Sequence, residues 1–214
     1  MLSHVARAAL PRHGASMTIR NLFVTRFYDA PLDDKKLVKE LARSCRGLAE
    51  DDRAGAAWSA ANGYPGYTSY ASLADLPQRD PAFDDLKRAL DKHVRAYVEA
   101  AFMDCGKLKL DSMWVNVLNP GGGHSGHIHT HSVVSGTVYI VLPEGAGPLK
   151  LEDPRLPMMM AAPLRTADAP DDARPFHYAV PSVGTIFLWE SWLRHEVPPG
   201  SATSERISIS FNYR

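Results

Sequence analysis

The chain has 214 residues, with 24 Lys+Arg against 24 Asp+Glu and 45% hydrophobic content. That is the composition of an ordinary globular protein, most simply one domain with a real core. The balanced charge gives no global pull towards nucleic acid or a membrane surface. No apolar run approaches the roughly 20 residues a spanning helix needs, and Cys45 and Cys105 form no CxxC pair. These features exclude a disulfide scaffold and a thiolate metal site, and they fit a cytoplasmic protein.

Residues 1–16 (MLSHVARAALPRHGAS) contain Arg7 and Arg12 and no acid. We read them as a disordered extension, or as translation from an upstream start with the natural start at Met17. Residues 17–214 then form a single domain. Residues 20–30 (RNLFVTRFYDA) read as a strand. Pro31-Leu32-Asp33 opens a helix over about 33–50, with Leu37, Val38, Leu41 and Leu48 on one side. Residues 53–80, rich in Gly, Ala, Tyr and Ser, read as loop. A second helix is expected over 81–103, with Leu86, Leu90, Val94, Tyr97 and Val98 as its apolar stripe.

From Lys107 the pattern changes to short β-rich runs bounded by Gly and Pro: MWVNVLNP, GTVYIVLP, PLKLED, GTIFLW and RISISFNY. Strands after two helices predict a mainly β fold, a barrel or sandwich with helices outside. Residues 157–175 (PMMMAAPLRTADAPDDARP) interrupt the strands and form an unusually long excursion, of the kind that often serves as a lid.

Nine histidines are many for this length, and four lie in HSGHIHTH. His127 and His129 stand two apart, so on a strand both imidazoles face one way. His131 shares that parity and competes as a ligand, while His124 lies in the turn made by Gly121–Gly123. A surface His tract also binds stray metal without function. His195 follows the apolar run TIFLW and SWLR, where a strand-end ligand would sit. In the last strand Arg206, Ser208, Ser210 and Asn212 alternate with Ile207, Ile209 and Phe211. This is either a sheet with one wet face or a barrel with a polar interior holding an anion. In the second case Arg206 clamps a carboxylate through two bonds, and Ser208 adds a hydroxyl about 6.8 Å along.

Taken together, WVNVLNPGGGHSGHIHTHSVVSGTVYIVLP, LEDPR, VPSVGTIFLWESWLRHEVPP and ERISISFN resemble the Fe(II)/2-oxoglutarate dioxygenase superfamily. The likeness is greatest to a group of short bacterial and phage 2OG-Fe(II) oxygenases, and it runs from Leu22-Phe23 to the C-terminus. It implies a double-stranded β-helix, the cupin-like jelly roll. It places Fe(II) on His127, His129 and His195, and the 2-oxoglutarate cosubstrate on Arg206 and Ser208. Asn116 and Tyr139 are candidates to hydrogen-bond that cosubstrate, or equally to make plain structural contacts. The implied activity is hydroxylation of a small molecule or peptide side chain.

The chain departs from the superfamily pattern at two positions. His129 stands where Asp or Glu is usual, and Glu190 where proline is expected. A three-imidazole centre also suits a dioxygenase that uses no 2-oxoglutarate, a zinc hydrolase or a non-catalytic metal-binding protein.

Overall fold

Asp34 starts the first long helix by accepting the amide hydrogen of Leu37 at 2.8 Å, which satisfies one free donor of the opening turn. The helix (α1, Lys35–Asp51) follows a first strand (β1, Phe27–Pro31). Asp80 caps a second long helix in the same way, with Pro81 at its first position (α4, Pro81–Ala100). The computed structural model describes residues 18–214, so the reading of 1–16 lies outside the described residues.

Between these helices the expectation of a loop over 53–80 is overturned. The segment holds α2 (Arg53–Ala61), a short strand β2 (Gly66–Thr68) and a single turn α3 (Leu76–Arg79). Asp52 caps α2 through the amide of Gly55. A Cβ on Gly55 would stand 2.9 Å from the Tyr67 ring, so only glycine lets this helix lie so close. The Ala-rich sequence of α2 lacks the apolar stripe by which helices are recognised. The strand expected over 20–30 is also shorter: β1 begins only at Phe27.

The remaining strands are β3 (Leu110–Leu118), β4 (His124–His127), β5 (Val134–Val141), β6 (Leu149–Glu152), β7 (Phe176–Ala179), β8 (Thr185–Glu190), β9 (His195–Val197) and β10 (Arg206–Tyr213). They form two antiparallel sheets, ordered β1-β8-β5-β10-β3-β2 and β4-β9-β6-β7. Successive strands from β3 to β10 alternate between the two sheets, except β6 and β7, which pair with each other in the smaller one. This is the double-stranded β-helix expected from the sequence.

The six-stranded sheet has two different faces. Its outer face (Val115, Val117, Val138, Ile140, Ile186, Leu188, Ile207, Ile209 and Phe211) forms one core with Leu37, Leu41 and Cys45 of α1 and Leu86, Leu90 and Val94 of α4. Both long helices therefore buttress this sheet. Its inner face carries the intervening residues, including Arg206, Ser208, Asn212, Ser135, Thr137 and Tyr139, all buried. The polar face of β10 is thus an interior wall. Residues 157–175 hold two short 3-10 turns, Leu156–Met158 and Asp171–Ala173, joined by exposed chain in which Met160 and Leu164 are almost fully solvated. No helix among the described residues is long and apolar enough to cross a membrane.

Candidate metal and anion site

Two histidines meet across the smaller sheet. His127, the last residue of β4, is the antiparallel partner of His195, the first of β9, and their ring centroids are 4.4 Å apart. The turn before β4 bends at Gly121 (φ 70°), and Gly123 lies so near the β9 end that a Cβ would stand 2.6 Å from the Val197 carbonyl. The third histidine is not on the strand: β4 ends at His127 and begins at His124, so the expectation of His127 and His129 alternating along one strand is corrected. The His129 amide instead donates to the Ser191 carbonyl at 2.9 Å. That bond turns the ring back, to 5.1 Å from His127 and 5.2 Å from His195, nearly parallel to the latter.

The donor nitrogens of His127, His129 and His195 all lie within 4.8 Å of one another, the spacing of a facial metal site. His124 touches His127 at 4.7 Å between centroids but stands outside this group, facing Tyr64. His131 is exposed. Glu190 follows the inward Trp189, accepts from the Trp192 indole at 2.9 Å, and is likewise outside the group.

Hydrogen bonds prepare two of the rings. His195 Nδ1–H donates to the Leu193 carbonyl at 2.9 Å and His127 Nδ1–H to the Ser125 carbonyl at 2.8 Å. A carbonyl can only accept, so each ring carries its proton on Nδ1 and offers the Nε2 lone pair. Burial, reinforced by the neighbouring imidazoles, lowers His195 to about 3 and His129 to about 4, so both are neutral near pH 7. Neutral imidazole is the form that binds metal. Imidazole brings no charge of its own when it binds, so a divalent ion held by three of them would keep its full charge and attract an anion.

The other end of the same cavity supplies donors. Arg206 is 6% exposed, and its guanidinium lies 5.0 Å above the Tyr139 ring. Among the described residues no carboxylate pairs with it, and its Nε meets no acceptor. Tyr139 Oη and Trp189 Nε1 are also buried without a partner of proper geometry, and these three residues line the cavity with the histidines. A buried donor left unsatisfied costs roughly 1–3 kcal/mol, and a charged one more. Three of them converging on one cavity specify an acceptor-rich, anionic occupant. Ser208 lines the same wall. Asn116 does too, but its amide accepts from Tyr64 and Thr68 and donates to Ser210.

Residues 112–212 match a family model described as "Putative 2OG-Fe(II) oxygenase". All three histidines and Arg206 fall inside this matched segment, whereas the helices that buttress it precede it. The chain is similar in fold to a prolyl-4-hydroxylase from Pseudomonas putida (19% identity, 89% of this chain and 94% of that one, TM-score 0.61). It is also similar to HygX from Streptomyces hygroscopicus (15% identity, 92% and 86%, TM-score 0.57). A third similar fold is the viral collagen prolyl hydroxylase vCPH from Paramecium Bursaria Chlorella virus-1 (13% identity, 88% and 95%, TM-score 0.55). No curated protein matches the chain at the sequence level.

Sequence reasoning did not single out Trp189. Its signal was present in GTIFLWE, where Phe187 and Trp189 alternate with apolar residues, but strand parity alone does not say which face is the interior.

Proposed function

We propose that this protein is a non-haem iron hydroxylase in which His127, His129 and His195 hold Fe(II) and Arg206 anchors the distal carboxylate of 2-oxoglutarate. The observation that carries the reading is the buried Arg206, without a counter-ion among the described residues, in the same cavity as three clustered imidazoles. A dicarboxylate that chelates a metal through one end and needs a cation at the other fits both ends. The solved HygX with nickel and 2-oxoglutarate bound supports this reading by its similar fold. Iron with 2-oxoglutarate held there would reduce dioxygen as the cosubstrate breaks down to succinate and carbon dioxide, and so would supply the oxidant that removes hydrogen from an unactivated carbon.

The chain's own residues bind and orient. The Leu193 and Ser125 carbonyls fix two imidazoles with Nε2 towards the metal. Arg206 and Tyr139 would hold the far carboxylate, with Ser208 beside them, and Trp189 N–H, on an indole 4.7 Å from the His195 ring, would offer a further donor. Leu149, Leu151, Phe187 and Leu193 close the surrounding interior to water. The substrate is a peptide side chain or a small molecule. The solved neighbours include both a prolyl hydroxylase bound to a peptide and the nogalamycin epimerase SnoN.

The test is calorimetric titration of 2-oxoglutarate into Fe(II)- or Mn(II)-loaded protein without oxygen, followed by oxygen uptake and succinate release. Binding by the wild type and its loss in Arg206→Ala is expected. No binding by the wild type rejects the cosubstrate and leaves a three-imidazole metal centre of the hydrolytic or cosubstrate-free kind.

A further inference from the structure

His129 differs from the other two ligands in what its second nitrogen meets. His127 and His195 each face a backbone carbonyl, which fixes their proton. His129 Nδ1 instead faces the side-chain amide of Asn212 at 3.3 Å. That amide belongs to a chain of buried and half-buried side chains. Its nitrogen also reaches Ser112 Oγ at 3.2 Å, and its oxygen accepts from Ser135 Oγ at 2.7 Å. Ser135 Oγ is in turn 2.7 Å from Ser191 Oγ, and Ser191 holds the His129 backbone.

This network has two complete arrangements. In one the Asn212 NH2 points at His129 Nδ1. The imidazole must then accept there, carry its proton on Nε2, and offer the metal no lone pair. In the other the amide is turned by half a rotation. Its oxygen accepts Nδ1–H of His129 and the Ser112 hydroxyl, and its NH2 donates to Ser135. Each bond of the first arrangement has a counterpart in the second with donor and acceptor exchanged. Serine hydroxyls, unlike carbonyls, can be either.

We infer that Asn212 is the positioning residue for His129: ligation by His129 and rotation of the Asn212 amide occur together, so the Ser112–Asn212–Ser135–Ser191 network sets the affinity of the metal site. The inference rests on the metal-site reading above and deepens it.

The test uses Zn(II), which is diamagnetic, and the full chain. Zinc affinity is measured by competition titration in the wild type, Asn212→Asp and Asn212→Leu. Long-range 1H–15N NMR reads the His129 tautomer with and without zinc. Asp can accept from Nδ1–H, so Asn212→Asp should match or exceed the wild type. Leu cannot, so Asn212→Leu should bind zinc roughly 10- to 100-fold more weakly, as loss of a partner to a ligating His generally does. In the wild type His129 should pass from the Nε2–H form to the Nδ1–H form on zinc binding. A His129 already in the Nδ1–H form without metal overturns the coupling, even if Asn212→Leu fails to fold. Equal zinc binding by wild type and Asn212→Leu overturns the role of Asn212 and leaves the metal site standing. A wild type that binds no zinc removes both readings.

Discussion

At the scale of single residues, Arg206 is the group whose energetics demand a ligand. It is buried, stacked on Tyr139, and among the described residues it has no carboxylate partner and its Nε no acceptor. Replacing it with Ala should weaken 2-oxoglutarate binding by about 2–5 kcal/mol, much of that from a carboxylate left without its partner. Metal affinity should be unchanged, because Arg206 is not among the ligands. Arg206→Lys should recover little, since an ammonium cannot reproduce the two-pronged contact. Calorimetry on the metal-loaded variants checks both. Trp189→Phe separates ligand binding from folding. It removes an unsatisfied buried N–H, so it should cost the metal-free fold little while weakening the cosubstrate by about 0.5–1.5 kcal/mol. A fold destabilised with no loss of cosubstrate affinity would show the indole to be only a packing group.

The imidazoles also give the fold a pH dependence whose sign can be worked out. His195 and His129 are lowered to about 3 and about 4 by burial, whereas in the unfolded chain they titrate near 6.5. Between these values the unfolded chain holds more protons. Stability of the metal-free protein should therefore be complete above about pH 6.5 and fall as the pH is lowered towards 4. Urea unfolding at pH 7 and pH 5 measures it, and His195→Asn should flatten the difference.

At the scale of elements, α1 and α4 act on the site only through the sheet they cover. Leu41 and Leu90 are fully buried in the core they share with the outer face of that sheet. Leu41→Ala or Leu90→Ala should cost about 2–5 kcal/mol by opening a cavity. The metal affinity of the folded fraction should stay as it was, which thermal unfolding and zinc titration of the same sample would separate. The long connection 157–175 has the opposite character. Its exposed Met160 and Leu164 and its two isolated 3-10 turns leave much of its backbone unpaired. Among the described residues, limited proteolysis should cut there first, and an early cut inside α4 would contradict the packing.

At the scale of the whole molecule, the barrel brings together histidines able to hold a metal that the chain keeps far apart. Metal binding should stabilise the fold by mass action, raising the melting temperature with metal concentration. His127→Ala and His195→Ala should abolish that shift, and His131→Ala should not.

Much of this was legible in the sequence. Periodicity marked the long helices near their true ends, because each has a broad apolar stripe and a capping Asp. Short strands bounded by Gly and Pro marked the β domain, and the three histidines and Arg206 stood out by residue type. Other features were not legible. The helix α2 has no stripe to reveal it, and the way His129 is aimed depends on a bond to Ser191, far along the chain. The sequence by itself determined which side chains are chemically able to bind a metal and an anion, since that is a property of residue type. Only the tertiary structure decided that the polar face of β10 is an interior wall, because alternation defines two faces without saying which one the helices cover. Only the structure, too, showed Arg206, Tyr139 and Trp189 left without partners inside one cavity. Whether a buried group is satisfied depends on every strand around it.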